Sequence, residues 1–428
     1  MNLSAHSTVT NDHPDITVVG AGIIGVACAL QLARQGLRVV VVDQQPPGHG
    51  ASFGNAGHLA TEQVFPIADL SILMRLPAML LDPKGPLRLD WRYLPKALPW
   101  FIKLLANLRP EPFQRSVAGL RALNEGSLHA WQRLLNSIAH PHLLREEGSL
   151  LVFERSESRT AIEALQLRML QQGVPVDLWE SRAVRNSAPQ LSQRIRGGLY
   201  FPATGQFIDP YRVVEELVRA CQAAGVHFLR RQVQNAHLTI SGVSLLTDQG
   251  TFNSSKVLIA CGAHSAALTE ALSGCKVPLE TERGYHLMLP HEHERLPFPV
   301  TSFERKFIMT PMSEGLRLAG TVEFAGLERA PNMQRAWQLH HLSKGLFNED
   351  LSPVNASPWM GFRPSLPDSL PVIDSCCDGK VLLAFGHQHL GLTQAAYTAE
   401  LIARLNAYPH ALKQPELALL RAFRLARF

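Results

Sequence analysis

The sequence has no long apolar run, no paired-cysteine motif and no large charge of either sign. None of its apolar runs reaches the roughly 20 residues of a membrane-spanning helix. The six cysteines include no CxxC pair and stand mostly within apolar runs, as buried reduced thiols do, which suits a reducing cytoplasm. The net charge of +5 is small for 428 residues and the basic residues are scattered, so nucleic-acid binding is not expected.

Length and composition describe an ordinary globular chain. Its length allows about two to three domains, and 46% hydrophobic residues suits a large core. Residues 1–13 are polar and lack the apolar segment of a secretory signal. The pairs His291/His293 and His387/His389 have no Cys or carboxylate cluster at ligand spacing, so we expect no metal site.

Residues 15–43 carry the most informative local pattern, which predicts a strand, a glycine turn, a helix and a second strand. The turn reads GAGIIG from Gly20. At this spacing Gly20 permits a tight turn, Gly22 lets the backbone approach a pyrophosphate, and Gly25 lets helix and strand pack closely. The helix N-terminus then directs free N–H groups at the phosphates. Asp43 ends the second strand where a carboxylate would bind a ribose, which favours FAD or NAD over NADP.

A loop of small residues follows. Residues 44–50 contain prolines and glycines that exclude regular structure, and residues 51–58 continue as ASFGNAGH. Small residues let the backbone approach a flat ring closely, and Ser52 can donate to a phosphate. The pattern also fits a plain surface turn, and both interpretations stay open.

Dinucleotide-binding character returns later in the chain. Residues 210–225 predict a helix and residues 226–229 a strand. Residues 257–265 predict a buried strand that stops at small residues, as parallel strands do where a cofactor crosses their carboxyl ends. Residues 381–385 predict another strand, followed by the glycine loop 386–391 and a helix.

Other segments follow different patterns. Residues 148–153 predict a strand, and residues 277–324 hold several alternating apolar runs typical of an antiparallel sheet. Residues 70–109 are rich in Leu, Met, Pro, Trp and Phe, punctuated by Arg and Lys. They predict short amphipathic helices interrupted by proline, which either cap a site or lie on a membrane surface.

Together these segments resemble the flavin-dependent amine and amino acid oxidoreductases, which include D-amino acid oxidase, glycine and sarcosine oxidases and bacterial D-amino acid dehydrogenases. The resemblance spans nearly the whole chain. It rests on the first βαβ unit, on ACGAHS from Ala260, RGY from Arg283 and GFRPSLPD from Gly361, and on the last glycine loop. Residues 52–58 and 365–371 look most like the dehydrogenase branch, including dehydrogenases for D-hydroxyproline.

The resemblance implies an α/β fold (α+β overall) with a Rossmann-like FAD-binding domain and a mixed antiparallel-sheet substrate domain. The FAD-binding domain would be discontinuous. Its predicted pieces are residues 1–61, 195–273 and 353–428, and residues 62–194 and 274–352 would form the substrate or cap domain.

The resemblance also implies site residues. Arg363 stands where the family binds the substrate carboxylate, and a guanidinium matches a carboxylate bidentately. Tyr285 and Arg283 lie in a block that resembles the substrate-side segment, and His58 either lies near the flavin ring or fills its turn. The helix near Thr393 would direct its N-terminal dipole at the flavin pyrimidine. The residues implied in FAD binding are Gly20, Gly22, Ile23, Ile24, Gly25, Asp43, Ser52, Asn55, Ala56, Gly57, His58, Val233, Cys261, Gly262, Gly386, His389, Leu390, Gly391, Leu392 and Thr393.

The leading functional hypothesis is an FAD-dependent D-amino acid dehydrogenase that forms an imine, with cyclic substrates such as D-proline or hydroxy-D-proline included. A quinone or electron carrier would accept the electrons. The apolar stretch 70–108, together with Arg421, Arg424 and Arg427, predicts peripheral contact with the inner face of the cytoplasmic membrane. Two alternatives are a glycine/sarcosine-type oxidase that produces hydrogen peroxide and a flavin-carrying subunit of a larger complex.

Overall fold

The structure is a computed structural model that describes residues 13–67, 87–407 and 414–428. Predicted helices within residues 70–86 lie outside these ranges. The described α-helices are α1 (Ile23–Arg34), α2 (Leu94–Asn107), α3 (Pro110–Ser137), α4 (Arg159–Gln171), α5 (Ser181–Ser187), α6 (Pro210–Ala223), α7 (Ser265–Ser273), α8 (Gln334–Ser343), α9 (Gly391–Ala407) and α10 (Gln414–Arg421).

The described strands form four sheets. They are β1 (Ile16–Val19), β2 (Val39–Asp43), β3 (His58–Leu59), β4 (Leu87–Leu89), β5 (Leu144–Arg145), β6 (Ser149–Phe153), β7 (Asp177–Glu180), β8 (Gly197–Phe201), β9 (Gly205–Phe207), β10 (His227–Arg230), β11 (Val233–Leu238), β12 (Val243–Thr247), β13 (Gly250–Ser254), β14 (Lys256–Ile259), β15 (Glu280–Leu289), β16 (Val300–Ser302), β17 (Phe307–Met312), β18 (Gly315–Phe324), β19 (Ser357–Ser365), β20 (Val372–Cys376) and β21 (Val381–Phe385).

A six-stranded sheet forms one half of the molecule, in the order β10-β2-β1-β14-β21-β20. All neighbours are parallel except β20 and β21. All four β1 residues are buried, because one apolar cluster of α1, α3, α6 and α9 covers one face while α7 and the antiparallel sheet β11-β12-β13 cover the other. This sheet has the architecture of the Rossmann-like domain that the resemblance implies, and the carboxyl ends of its parallel strands lie on one edge.

Two glycines determine how β1 meets α1. Gly20 has φ +111°, and a methyl group on it would lie 2.3 Å from the Ala260 carbonyl oxygen. A methyl group on Gly25 would lie 1.9 Å from the Gly20 carbonyl oxygen. Both positions therefore require glycine, since the backbones approach too closely for any Cβ.

A nine-stranded mixed sheet forms the other half. Its main order is β19-β15-β18-β17-β16-β6-β8-β7, and β4 pairs with β18. Only the pairs β16 with β6 and β18 with β4 are parallel among its described strands. Helices α5 and α8 contribute to the apolar cluster against it. The fold class predicted from the sequence is confirmed, since a Rossmann-like sheet and a mixed, largely antiparallel sheet are both present.

Two strands from the predicted FAD-binding pieces join the large sheet. β8 and β19 lie inside segments predicted for the FAD-binding domain, 195–273 and 353–428, yet they pair into the nine-stranded sheet. β19 continues by a short loop into β20 of the parallel sheet. One chain segment therefore passes directly from the large sheet to the parallel sheet. In the described part of the chain, no helix combines the length and apolar character needed to cross a membrane.

Candidate active site

The glycine turn at the carboxyl end of β1 is held by side chains from neighbouring loops. Asp43 accepts hydrogen bonds from the Ala21 N–H at 2.7 Å and the Gln45 N–H at 2.9 Å. Ser52 Oγ accepts from the Ile23 N–H at 3.0 Å, so its own hydroxyl hydrogen remains available to a phosphate. Asp43 and Ser52 thus shape the turn as well as facing the predicted cofactor position.

Gly22 lies open beside this turn. A methyl group on it would meet only Ser52 Oγ, at 3.5 Å. First-turn amides of a helix lack intrahelical acceptors, so the N–H groups of Ile24 and Gly25 can bind an anion there. This geometry fits a pyrophosphate.

Residues that follow β14 and β10 complete the carboxyl edge of the parallel sheet. Cys261 follows β14 and donates its thiol to the Val19 carbonyl at 3.1 Å. Burial raises the pKa of Cys261 to about 12, so it is a neutral thiol. Gly262 has φ +55° and open space where a Cβ would stand. Val233 begins β11 immediately after β10, in which Arg230 pairs with Asp43.

The loop before β3 is rigid. Asn55 Oδ1 accepts from the Gly57 N–H at 2.8 Å, and the Arg317 guanidinium donates to the Asn55 carbonyl. Burial lowers the pKa of Arg317 to about 10. Gly57 has φ +74°, and a methyl group there would lie 2.4 Å from the Phe207 carbonyl oxygen. Ala56 lies between Asn55 and Gly57, and the contacts of these two neighbours hold it in place.

The closing loop is tied to the same region. Gly386 has φ +84° and packs against Leu366. At the start of α9, Thr393 Oγ1 accepts from the Ala60 N–H at 3.0 Å, and the Leu392 carbonyl accepts from the Trp131 indole N–H at 2.9 Å. The predicted helix start near Thr393 is at Gly391, and Leu390 and Leu392 are buried beneath it.

Arg363 projects from β19 on the face of the large sheet that meets these loops. The register pairs it with Glu282, and Gly361 with Gly284, across β15. A Cβ on Gly284 would lie 2.4 Å from Arg363 Cζ, so the guanidinium lies against bare backbone. Among the described residues, its only hydrogen bond goes from Nη1 to the Thr321 carbonyl, at a long 3.4 Å. Burial lowers the pKa of Arg363, and Glu282 acts in the opposite direction.

Two histidines of this region each contact a polar side chain. His58 Nε2 is 3.0 Å from Glu62 Oε1, and His389 Nε2 contacts Gln63 Oε1. Burial, with Arg363 and His58 nearby, lowers the pKa of His389 to about 3, so this imidazole is neutral. Arg363 and His58 both contribute to this lowering, so His389 lies near each of them.

Tyr285 and Arg283 lie on the opposite face of the sheet. Side chains alternate along β15, and Glu282 and Gly284 occupy the Arg363 face. Tyr285 is 1% exposed and donates to Glu323 at 2.6 Å; burial and Glu323 raise its pKa to about 12. Arg283 is fully buried, and four carbonyls within residues 325–330 accept its hydrogen bonds. The structure therefore does not bring these two residues to Arg363, and both brace the loop after β18.

Several site residues were not predicted. Glu282, Trp359 and His286 share the Arg363 face, and the His286 ring stacks on Trp359 with centroids 5.0 Å apart. Glu62 follows His58 by four residues. Strand alternation indicates which residues of one strand share a face, but the pairing of β15 with β19 across about 80 residues has no local signal.

Buried polar atoms without a protein partner gather around this region. They are His58 Nδ1, Glu62 Oε2, both side-chain polar atoms of Gln206, Arg317 Nε and Gln388 Nε2. Gln206 pairs with His58, and Gln388 precedes His389. Buried polar atoms normally have partners. The heteroatom-rich rim of a flavin supplies donors and acceptors of this kind, so the residues present fit FAD. No group of three metal-ligating side chains comes together in the residues described.

Comparison with known proteins defines the class. The family described as FAD dependent oxidoreductase matches residues 15–405. Two curated relatives are a D-amino-acid oxidase from Bradyrhizobium diazoefficiens, 34% identical over 94% of this chain and 96% of the relative, and a D-amino acid dehydrogenase from Vibrio cholerae, 28% identical over 91% and 94%.

Solved structures agree on the fold. Glycine oxidase from Geobacillus kaustophilus has a TM-score of 0.76 at 22% identity over 97% of this chain and 100% of that one. L-Proline dehydrogenase from P. horikoshii has a TM-score of 0.69 at 17% identity over 97% and 98%. The glycine turn and the paired sheets thus define a flavoenzyme fold. The chain belongs to the FAD dependent oxidoreductase family, and its cofactor is FAD.

Replacing Gly22 tests the cofactor site. Gly22→Val should fold, because Gly22 has φ −71° and open space beside it, but its side chain would occupy the pyrophosphate position. We expect flavin content to fall by tenfold or more, measured by absorbance after denaturation. The wild-type circular dichroism spectrum should persist. Full flavin content in Gly22→Val would contradict the assignment, whereas Gly20→Val should lose the fold itself.

Proposed function

We propose that this enzyme is an FAD-dependent dehydrogenase that oxidises the Cα–N bond of a D-amino acid to an imine and passes the electrons to an acceptor other than oxygen. The observation that carries the proposal is Arg363, a partly buried cation with one long hydrogen bond. The names of the curated relatives support a D-amino acid as substrate. A cyclic substrate such as D-proline or hydroxy-D-proline would give a cyclic imine, and an acyclic imine would hydrolyse to a keto acid.

Arg363 is proposed to bind the substrate carboxylate. Its fork has five N–H donors, of which one is used weakly. A carboxylate would satisfy two of them in parallel and replace water around a buried charge. Gly284 makes room for the guanidinium itself, since any side chain there would collide with it. The substrate would thus be held at one end by a rigid strand.

His58 is proposed to be the base. FAD, when bound, supplies the hydride acceptor for the Cα–H bond. The substrate ammonium must first lose a proton, because only a free lone pair can form the C=N bond. Glu62 is a carboxylate acceptor for Nε2, so the neutral ring carries its proton there and leaves Nδ1 as the acceptor. Nδ1 is buried without a protein partner. His58 therefore takes the proton, and Glu62 is a positioning residue.

The cofactor residues and domain division remain our assignment. We infer that the pyrophosphate binds at Gly20, Gly22 and the α1 N-terminus, and the ribose near Asp43. The flavin ring would lie among residues 55–58 and 389–393, under the Arg363 face. The FAD-binding pieces 1–61, 195–273 and 353–428 would then hold the cofactor, with β8 and β19 as their contributions to the substrate-side sheet.

Helix α2 supports a membrane or quinone contact. Leu98, Ile102 and Leu105 share one face and are 48%, 58% and 49% exposed. On the opposite side, the Trp100 indole donates to the Ser365 carbonyl at 3.2 Å, two residues from Arg363. An apolar stripe beside the site would let a lipid-soluble acceptor approach the flavin, with lysines at 96 and 103 near anionic lipid. Of the C-terminal arginines, Arg427 bonds to Asp368 at 2.7 Å, while Arg421 and Arg424 are exposed.

An oxidase is the second candidate. The Bradyrhizobium relative, at 34% identity, is named an oxidase. The carboxylate-binding arginine and proposed base would serve either enzyme. The electron acceptor alone separates them.

Substituting Arg363 tests the carboxylate contact. Arg363→Lys keeps the charge but loses the fork, and Arg363→Ala loses both. For the alanine variant we expect kcat/KM for the best D-amino acid to fall about 100-fold or more, since an unpaired carboxylate partner costs roughly 3 kcal/mol. Flavin content should not change. Exposed Arg424→Ala is the matched control, and unchanged kinetics in Arg363→Ala would remove this residue from the site.

The proposed base is tested by pH profiles. His58→Asn should lower kcat by roughly 100-fold or more and abolish the acid limb of kcat/KM that a required base produces. Glu62→Gln keeps a hydrogen-bond partner for Nε2 but removes the carboxylate charge, so kcat should fall by less than in His58→Asn. His227→Asn, at an exposed position on β10, should keep both the rate and the limb. An unaltered limb in His58→Asn would exclude the proposed role.

The acceptor is tested on the purified enzyme. We expect slow turnover with oxygen, fast turnover with a dye or quinone, and weak, salt-sensitive binding to anionic vesicles. Leu98→Glu/Ile102→Glu should weaken vesicle binding about tenfold or more, because each carboxylate opposes burial of the stripe. Turnover with a water-soluble dye should stay the same. Ile240→Glu, at a fully exposed position elsewhere, is the control. Rapid stoichiometric peroxide production would instead favour the oxidase.

A further inference from the structure

A cavity of about 500 Å³ lies on the face of the large sheet opposite Arg363. Four guanidinium groups line it, from Arg88, Arg92, Arg329 and Arg335, against two carboxylates. They come from three places in the chain: the β4 segment, the loop after β18, and α8. Positive charge therefore converges on one space from several directions.

The two carboxylates are already engaged. Asp90 pairs with Arg329 and accepts from the Arg92 N–H at 3.1 Å. Glu323 accepts from the Tyr285 hydroxyl at 2.6 Å and lies 3.7 Å from a nitrogen of buried Arg283. The acids in the cavity wall therefore leave part of its positive charge uncompensated.

Arg335 shows the imbalance most directly. Its side chain is 3% exposed, yet its Nε is buried without a hydrogen-bond partner. Its Nη2 makes one long bond, 3.4 Å, to the Val322 carbonyl. A buried cation is costly unless it is paired and hydrogen-bonded. Glu323 attracts this cation but accepts no hydrogen bond from it, and an anion in the cavity would supply the missing hydrogen-bond acceptor.

We propose that this cavity binds a phosphate group. A single guanidinium fork matches a planar carboxylate, whereas several guanidiniums arriving from different directions match a tetrahedral anion with oxygens on all sides. The second negative charge of a phosphate group also suits a cavity that is lined by more arginines than carboxylates. Gln338 Oε1 also lines the cavity, is buried and has no partner, so a hydroxyl of a phosphate ester could donate to it. The inference does not rest on the proposed amino acid oxidation, because the site lies across the sheet from Arg363.

Two sources could present this group. Trp91 lines the cavity, is 59% exposed and directly precedes the segment that leads into α2. A lipid headgroup could therefore enter while the α2 stripe rests on a membrane. A free phosphate ester in solution offers the same chemistry. Both share the phosphate that the arginines would recognise.

The test is calorimetric titration of the FAD-loaded enzyme with inorganic phosphate and with glycerol phosphate, at constant ionic strength. We expect saturable one-site binding. Arg88→Gln/Arg92→Gln, at exposed rim positions, should weaken it at least tenfold, and Arg335→Gln should do the same if it folds. Arg185→Gln, an exposed arginine on α5, is the matched control and should bind as the wild type does.

Vesicles distinguish the two sources. If binding to phosphatidylglycerol vesicles competes with glycerol phosphate and falls in Arg88→Gln/Arg92→Gln, the group comes from a headgroup; if only the soluble compounds bind, it comes from solution. Either result supports the phosphate site. Absence of saturable binding up to about 10 mM phosphate, tenfold above the Kd of about 1 mM of a weak specific site, would overturn it. So would equal binding of chloride, or wild-type affinity in the double variant. Activity is not the readout, so this outcome is separate from the test of the amino acid substrate.

Discussion

The contact between the loop before β3 and the strand pair β15–β19 determines where the two halves of the site stand. A Cβ at Gly54 would lie 2.2 Å from the Trp359 ring, so loop and strand touch with no side chain between them. The His286 ring stacks on the Trp359 ring with an interplanar angle of 17°, and His286 Nδ1 lies 2.9 Å from the Gly54 carbonyl. Burial and nearby Arg317 lower the pKa of His286 to about 3. The ring is therefore neutral, and its Nδ1 donates to the carbonyl.

Close to this junction the Arg363 guanidinium lies among buried ionisable side chains. Glu282 pairs with Arg363 across the strands, and burial raises the pKa of Glu282 although Ser365 donates to it at 2.6 Å. His389 stays neutral because burial and Arg363 disfavour a second cation. Among the described residues, the guanidinium thus keeps most of its donors without a hydrogen-bond acceptor. The proposed selectivity for an anionic substrate group would depend on this arrangement, since preorganised charges in a desolvated site act strongly.

The large sheet separates two tasks by the alternation of its strands. On one face, residues 282, 284, 361 and 363 surround the proposed carboxylate site. On the other, Tyr285 and Arg283 use their polar atoms to hold Glu323 and residues 325–330, next to the arginine-lined cavity. The resemblance placed Arg283 and Tyr285 on the substrate side, but in the structure both side chains lie on the face opposite Arg363. A single residue step along a strand exchanges one face for the other.

Local patterns were enough for the strand, turn and helix around Gly20, the requirement for glycine at 20 and 25, and the place of Asp43 at the end of β2, and the resemblance that several such segments carry together gave the flavoenzyme class. These features depend on backbone conformation and apolar periodicity within about 30 residues, which neighbouring residues encode. Only the tertiary structure decided that Arg363 faces Glu282 and Gly284 and that His389 reaches Gln63 from 326 positions away. Such contacts depend on strand register and sheet docking, which are set by packing between distant segments, and no local pattern records them.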